Sequence, residues 1–417
     1  MKTGFRRRSE SNVQVYVDIG DPYPGRAEFI EYFDFANPAF QTPAIKTWGG
    51  NNYGQLGFGT TANTSTPTPV GALANWRQIS AGALHTAAIR YDSTLWIWGN
   101  NSFGQVGDSS TANRSSPVQI GTRTDWQQVS CGYTHTLAIT QDGNLWAWGS
   151  NIYNQLGQTS ATVSSPIQVG SSNAWIQVSS GGYHSLGIQR DYSAWAWGLN
   201  GYSQCGTGGV IVTVPTQIVD ENANNFYSIS LAAGQVQSLA VSITNELYAW
   251  GNNTYGQLGT GDNSQRNNPS KIGSLTTWQS VSSHGLSSGG ILTDSSLYVW
   301  GYNGTYNLGL GDLVNRSSPV KLGSSNWQEI SMGLYHSTAI RYDGSLWTWG
   351  FNGNGEIGNN TSGLAAGVST PIQINSLTNW KRVSAGGNTI DVLHPTNGNV
   401  NIAPQGYTVS IAVATDF

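Results

Sequence analysis

Four histidines at regular spacing are the residues of this sequence most able to do chemistry. They begin four copies of the pattern His-(Thr/Ser)-x-(Ala/Gly)-Ile: His85, His135, His184 and His336. A ring of imidazoles could bind a metal ion or transfer protons. Other copies of the pattern begin with Ser287 or Thr389, and Gln237 stands at approximately the same position. These side chains suit hydrogen bonding more than metal binding. We therefore interpret the histidines as structural groups that tie a strand to its neighbour.

The remaining candidates for chemistry do not form a site in the sequence. Cys131 and Cys205 stand in small or apolar positions of different sections of the chain, so we expect neither a disulfide nor a metal site. Asp142 and Asp343 lie in turns and form no recognisable acid–base pair. A glycine-rich phosphate loop, a nucleophile elbow and a zinc-type Cys/His spacing are all missing. The prediction is a protein without enzymatic activity, cofactor or metal.

The histidine pattern belongs to a longer repeat that is marked by the dipeptide Trp-Gly. This dipeptide occurs seven times, at Trp48, Trp98, Trp148, Trp197, Trp250, Trp300 and Trp349. The successive spacings are 50, 50, 49, 53, 50 and 49 residues. A constant period in this range indicates stacked supersecondary units. All 17 tryptophans stand at one of three positions of the repeat, which indicates core packing rather than a special site.

Each repeat contains four short runs with the character of strands. In one repeat the runs are residues 126–130, 135–139, 145–149 and 166–170, and Asp142-Gly143 joins the second run to the third. Asp-Gly is a strong hairpin signal, and aromatic and β-branched residues of the kind found here favour strands. Four strands per unit in seven units predict an all-β, seven-bladed β-propeller of four-stranded blades.

A glycine-containing motif, Asn-x-(Tyr/Phe)-Gly-Gln-(Leu/Val)-Gly, separates the third and fourth runs, as at residues 51–57 and 101–107. With this motif the units resemble the repeats of the regulator-of-chromosome-condensation family, which are seven-bladed propellers. The resemblance extends from about Ala44 to about Val400. It implies the fold more than an activity, because functions differ widely within such a family. The founding member of the family is a guanine-nucleotide exchange factor for a small nuclear GTPase, and secreted relatives bind and block β-lactamases.

The order of the runs predicts how the ring closes. The chain enters the repeat at a third run, residues 44–49, and ends it with a first run at 380–384 and a second run at 389–393. We therefore expect the N-terminal strands to complete the blade that the C-terminal strands begin, in a propeller of residues 44–397. Residues 399–402 are an alternative occupant of the third-strand position in that blade.

Two segments lie outside the repeats. Residues 1–43 form an expected N-terminal arm that begins basic and becomes acidic and aromatic. Its aromatic residues rarely occur in disordered tails, so they are candidate contacts with a partner: Phe29, Tyr32, Phe33 and Phe35. The alternative is that the arm packs on its own propeller. Residues 398–417 form an expected C-terminal β tail that could extend a sheet edge of this chain or of a partner.

The composition limits the classes of partner. Only 10% of the residues are charged, against about 25% in ordinary globular proteins. The net charge of −4 and the pI near 5.8 argue against nucleic-acid binding. The sequence has no apolar run long enough to cross a membrane, and its first residues lack the apolar core of a secretory signal.

These observations predict a non-enzymatic propeller that serves as a structural or protein-binding module of a larger assembly. We favour a virion, such as that of a phage, or another extracellular particle, in which the arm, the tail or a loop face contacts other proteins. The alternative is a cytoplasmic regulator that binds a protein, with nucleotide exchange on a small GTPase as its narrower form. The loops are mostly Ser, Thr and Asn, and no acidic face or wedge-like insertion stands out in the sequence.

Overall fold

The computed structural model describes residues 43–220, 222–324 and 326–395 of the chain. In this part of the chain, 28 strands form seven four-stranded antiparallel sheets. This architecture confirms the predicted all-β, seven-bladed propeller. No helix among these residues is long and apolar enough to cross a membrane.

The strands fall into four sets by their place in the blade, and we number the blades 1 to 7 in the chain order of their first strands. The first strands are β3 (Trp76–Ala81), β7 (Trp126–Cys131), β11 (Trp175–Ser180), β15 (Ser228–Ala233), β19 (Trp278–Ser283), β23 (Trp327–Met332) and β27 (Arg382–Ala385). The second strands are β4 (His85–Arg90), β8 (His135–Thr140), β12 (His184–Gln189), β16 (Gln237–Ser242), β20 (Ser287–Leu292), β24 (His336–Arg341) and β28 (Thr389–Pro395). The third strands are β1 (Pro43–Gly49), β5 (Leu95–Gly99), β9 (Leu145–Gly149), β13 (Ala194–Leu199), β17 (Leu247–Gly251), β21 (Leu297–Gly301) and β25 (Leu346–Gly350). The fourth strands are β2 (Thr64–Pro69), β6 (Arg114–Gln119), β10 (Val163–Gln168), β14 (Ile211–Gln217), β18 (Arg266–Lys271), β22 (Arg316–Lys321) and β26 (Val368–Gln373).

The Trp-Gly tryptophans fasten each blade to the one before it. The buried indole N–H of Trp98 in blade 1 donates a hydrogen bond to the carbonyl oxygen of Gln55 in blade 7, at 2.9 Å. The other six tryptophans make the equivalent bond at 2.9–3.0 Å: Trp48, Trp148, Trp197, Trp250, Trp300 and Trp349. The recurring tryptophan therefore supplies both apolar bulk and a fixed link between blades.

The ring closes in the way that the order of the runs predicts. Blade 7 has the strand order β2-β1-β28-β27, and β1 pairs with β28 from Pro43↔Pro395 to Gly49↔Thr389. Trp48 of this blade donates to the carbonyl of Glu356 in blade 6. The third-strand position is thus occupied by β1, which begins one residue before the expected Ala44. Residues 399–402 and the rest of the C-terminal tail lie outside the described residues.

Blade 4 departs from the repeat in a way that explains the spacing of 53 residues between Trp197 and Trp250. Its first strand begins with Ser228 where other repeats have tryptophan. Phe226, from the longer loop before this strand, fills the vacant place and packs on Trp250 with ring centroids 6.0 Å apart. An isolated bridge between Val219 and Asn225 stabilises the same loop.

The two faces of the disc differ because the strands of each blade are antiparallel. The loops that join first to second strands and third to fourth strands share one face, which we call the aromatic face. It carries one exposed aromatic residue from each of five blades: Tyr53, Phe103, Tyr202, Tyr255 and Tyr335. The turns between second and third strands, and the loops that join blades, share the charged face. Pro43 and Pro395 are paired at the charged face.

Candidate functional site

The repeat histidines lie between blades and do not converge on one point. The Nε2 atom of His85 lies 2.9 Å from Thr136 Oγ1, and His135 and His184 each lie 3.0 Å from a serine hydroxyl of the next blade. His336 Nε2 donates to the carbonyl of Thr389 at 3.1 Å. Gln237 takes the same place in blade 4, where its amide donates to the Gly285 carbonyl at 2.8 Å.

The buried setting keeps these imidazoles neutral. Desolvation lowers the pKa of His85, His135 and His184 to about 3 and that of His336 to about 4. Within the described residues, no group of three or more His, Cys, Asp or Glu side chains is placed to hold a metal ion. Each histidine has a separate partner in the neighbouring blade, so the histidines join blades and do not converge on one site.

A repeated clasp positions the side chains of the aromatic face. Asn51 donates from Nδ2 to the carbonyls of Thr60 and Ala62, while its Oδ1 accepts the N–H of Leu56. Equivalent asparagines hold the corresponding loop of the other blades: Asn101, Asn151, Asn200, Asn253, Asn303 and Asn352. The loop cannot bend away from the disc without breaking these bonds.

A glutamine inside five of the seven clasps fixes the backbone of an aromatic residue at the aromatic face. Gln55 Oε1 accepts the N–H of Tyr53 at 2.9 Å. The same bond occurs at 2.8–2.9 Å in the next four blades of the chain, from Phe103, Tyr153, Tyr202 and Tyr255 to the glutamine two residues later. The aromatic rings are therefore presented on a rigid scaffold at one position of successive blades.

Further aromatic rings fill the inner part of this face. Tyr255 packs against Tyr302 with ring centroids 5.2 Å apart, and Tyr335 packs against Phe351 at 6.2 Å. Tyr153 contacts Tyr183 at 5.3 Å. These rings and the exposed residues at the clasps form an interrupted circle around the axis of the disc.

Few charged side chains stand on the aromatic face. Among the described residues these are buried Glu356 and three pairs at the outer rim: Asp108–Arg114, Asp262–Arg266 and Asp312–Arg316. In the second of these pairs Arg266 Nη2 lies 2.7 Å from Asp262 Oδ2, and hydrogen bonding from the arginine lowers the pKa of that carboxyl to about 2. The two opposite charges within each pair neutralise each other, so the face has aromatic and amide character with little net charge.

The first strands of neighbouring blades surround a central channel. Ser80 Oγ accepts the N–H of Cys131 in the next blade at 3.0 Å, and Ser384 Oγ accepts that of Ala81 at 2.8 Å. At the aromatic face, Tyr133 of blade 2 meets His284 of blade 5 across the channel, with ring centroids 5.5 Å apart. His284 replaces the glycine of the other six repeats, and burial lowers its pKa to about 4.

The channel opens at the charged face into a cavity of about 150 Å³. Arg77 of blade 1, Glu329 of blade 6 and Arg382 of blade 7 line this cavity together with Gln78 and Gln128. Arg77 Nη2 donates to the Trp126 carbonyl at 2.8 Å, and burial lowers the pKa of its guanidinium. Arg382 Nη1 lies 3.9 Å from Glu329 Oε1. Burial raises the pKa of Glu329, an effect that Arg382 opposes.

One buried carboxyl group belongs to neither face. Asp391 lies in β28, fully buried, where the corresponding residue of blade 1 is Ala87. Thr86 Oγ1 in blade 1 lies 3.1 Å from Asp391 Oδ2. Burial raises the pKa of Asp391 to about 8, so this side chain holds a proton at neutral pH.

The sequence-predicted residues therefore separate into four groups. The tryptophans lie in the core, and the histidines lie in the contacts between blades. The candidate arm contacts lie outside the described residues: Phe29, Tyr32, Phe33 and Phe35. Cys131 and Cys205 are buried and free, in different blades. Sequence reasoning missed the cations at the channel. A comparison between repeats could have found Arg77, because other repeats have glutamine at its position.

Comparison with known families identifies the repeat. The profile described as "Regulator of chromosome condensation (RCC1) repeat" matches residues 47–89, 92–139, 142–188, 193–241, 244–288, 294–340 and 343–390. A second profile of the same description matches residues 76–105, 126–155, 229–257 and 327–356. Among curated proteins, none matches the sequence significantly.

Solved structures share the fold over nearly the whole disc. Prp20p from Saccharomyces cerevisiae, described with its binding to Gsp1p and histones, is 21% identical, with a TM-score of 0.76 over 86% of this chain and 93% of that chain. Yeast RCC1 (Prp20) bound to Kap60 matches at 21% identity and a TM-score of 0.77, covering 86% and 90%. Human WBSCR16 matches at 23% identity and a TM-score of 0.77, covering 85% and 99%.

Proposed function

The chain belongs to the regulator of chromosome condensation (RCC1) repeat family, and from this premise we propose that it is a protein-binding regulator whose partner docks on the aromatic face. Family membership favours such a regulator over the virion component predicted from surface composition, for which the comparisons give no support. A similar disc binds proteins in Prp20p, which is described with Gsp1p, histones and Kap60. We place the regulator in the cytoplasm.

The observation that carries this proposal is the array of rigid aromatic residues on a face with little charge. Aromatic residues are enriched, and charged residues depleted, at the centres of protein interfaces. Tyr202 is 46% exposed and Tyr255 is 37% exposed, while the clasps hold their backbones in place. Binding therefore requires little ordering of the loops, which reduces the entropic cost of association.

Affinity purification from the cells that make the protein tests this proposal. The full chain and two variants are used as bait, and the recovered proteins are quantified by mass spectrometry. Tyr202→Ala with Tyr255→Ala alters the aromatic face, and Tyr192→Ala with Tyr342→Ala is the matched control on the charged face. We expect the aromatic pair alone to lose the partner. Loss only with the charged-face pair would contradict the proposal.

Nucleotide exchange on a small GTPase is the second candidate, and it rests on the charged face. Charged residues of both signs lie on this face, in the pairs Arg90–Asp92, Arg123–Asp125 and Lys271–Glu246. The loop that contains Val219 and Asn225 lies on the same face. The linear sequence does not show this grouping. Release of a fluorescent GDP analogue from purified small GTPases measures this activity. Acceleration of release that survives the aromatic-face variant but not a charged-face variant would favour exchange over docking on the aromatic face.

A further inference from the structure

The mouth of the central channel is cationic on one side and apolar on the other. Arg77 of blade 1 and Arg382 of the adjacent blade 7 line the cavity, with Glu329 of blade 6 as the acidic group beside them. Lys381 stands at the position of Arg77 in blade 7, because it follows Trp380 as Arg77 follows Trp76. Exposed isoleucines occupy the position of Arg77 in blades 3 and 4, across the ring: Ile176 and Ile229. A ligand that matches this mouth has to combine acidic groups with large apolar side chains.

The chain enters the disc beside this mouth. Pro43 begins β1 at the charged face, and β1 lies two strands away from β27 in blade 7, the blade that contributes Lys381 and Arg382. Two strand spacings amount to about 10 Å. Seven residues lie between Phe35 and Pro43, and the eight residue steps that join them span roughly 26 Å when extended. The residues before Phe35 can therefore reach the mouth without any rearrangement of the disc.

The sequence that precedes the disc has the composition that the mouth requires. Residues 28–35 read Glu-Phe-Ile-Glu-Tyr-Phe-Asp-Phe and contain three acids, four aromatic residues and no cation. We propose that residues 28–35 dock across the mouth of the channel in the same chain. The acids pair with Arg77, Lys381 and Arg382, and the aromatic rings pack toward the apolar side. This docking covers the charged face and leaves the aromatic face open.

Disulfide trapping in the full chain tests the docking. Phe33→Cys is combined with Tyr91→Cys, because Tyr91 is 51% exposed and lies within the electrostatic influence of Arg77 and Arg382. The matched control is Phe33→Cys with Ile243→Cys, at the same turn position of blade 4, where Ile243 is 53% exposed. The two native cysteines are buried. Under mild oxidation we expect at least tenfold more intramolecular disulfide with Tyr91→Cys, whereas equal yields would overturn the proposal.

Two further measurements test whether docking stays within one chain and whether it depends on the cations. A disulfide that forms between chains and declines on dilution would assign residues 28–35 to a second copy and overturn the proposal. Arg77→Gln with Lys381→Gln removes two cations and introduces the residue that other blades carry at this position, as in Gln127. At low salt this variant should lower the trapped fraction at least threefold. An unchanged fraction in a variant with wild-type circular dichroism would overturn the role of these cations.

Discussion

The aromatic face and the charged face arise from different parts of the repeat. The aromatic face is built from positions that most repeats share, namely the asparagine clasp, the glutamine and the aromatic residue such as Tyr53. The mouth at the charged face is built from departures such as Arg77, Lys381 and Glu329. Shared positions thus create a regular, multivalent array, whereas departures create one local site. The two faces can consequently be altered separately, provided that the ring beneath them remains closed.

The largest expected effect is on the stability of the ring that both faces share. Trp48→Ala removes a fully buried indole, its bond to Glu356 and the packing of the closing blade. We expect a loss of about 3–5 kcal/mol in the free energy of unfolding, as for other large-to-small core substitutions. Thermal and denaturant unfolding measure the loss, with exposed Tyr342→Ala as the control. Equal stability of the two variants would contradict the closure of the ring through Trp48.

The second effect is a pH dependence of the free energy of unfolding. It arises at the aromatic-face ends of the second strands, because the repeat histidines lie there. The folded-state pKa of His135 is about 3, below its ordinary value of 6.5, so the unfolded chain takes up protons first as the pH falls. Stability is therefore fully present above pH 6.5 and decreases below it. His135→Gln should reduce the loss between about pH 6.5 and 4.5 by up to roughly 2.7 kcal/mol, at 1.36 kcal/mol per pH unit.

Urea unfolding across this pH range checks the effect of His135→Gln. At neutral pH the variant should lose about 0.5–1.5 kcal/mol, since glutamine already serves this position in blade 4 as Gln237. Metal analysis of the wild-type protein is the complementary control. Stoichiometric zinc or nickel that disappears in the variant would overturn the structural role of the histidine.

An effect of opposite sign is expected from Asp391, and it is examined above pH 6.5. Its folded-state pKa is about 8 and its ordinary value is 3.8, so the folded protein retains a proton that the unfolded chain releases. Stability from this group is complete below about pH 4 and is lost as the pH rises through about 8. Between about pH 6.5 and 8 the loss is roughly 2 kcal/mol. In Asp391→Asn this pH dependence should disappear. If the free energy of unfolding, measured with urea, still falls with pH as in the wild type, the ionising group is not Asp391.

The smallest expected effect on stability is that of the arm. The described strands begin at Pro43, so deletion of residues 1–40 should leave the circular dichroism spectrum unchanged and alter the free energy of unfolding by less than about 1 kcal/mol. The same deletion should expose the mouth around Arg77 and Arg382 to acidic peptides. Collapse of the propeller on deletion would show that the arm is part of the fold.

The sequence predicts the ring better than it predicts the sites on it. Trp48 and its six counterparts specify the number of blades and the shared blade, because each repeat requires the same core contact. The meeting of Tyr133 with His284 could not be predicted, since these residues come from blades on opposite sides of the axis. The mouth likewise depends on Arg77 and Arg382, which are far apart in the chain and adjacent only after closure.

The central claim, that the partner docks on the aromatic face, is tested most directly by the dissociation constant of the purified partner. Tyr202→Ala with Tyr255→Ala should weaken binding by at least about 30-fold, equivalent to roughly 2 kcal/mol, as expected for an interfacial hot spot. Tyr192→Ala with Tyr342→Ala, on the charged face, should change it by less than about twofold. A partner that binds the first variant normally and the second weakly would contradict the assignment and place the docking surface on the charged face.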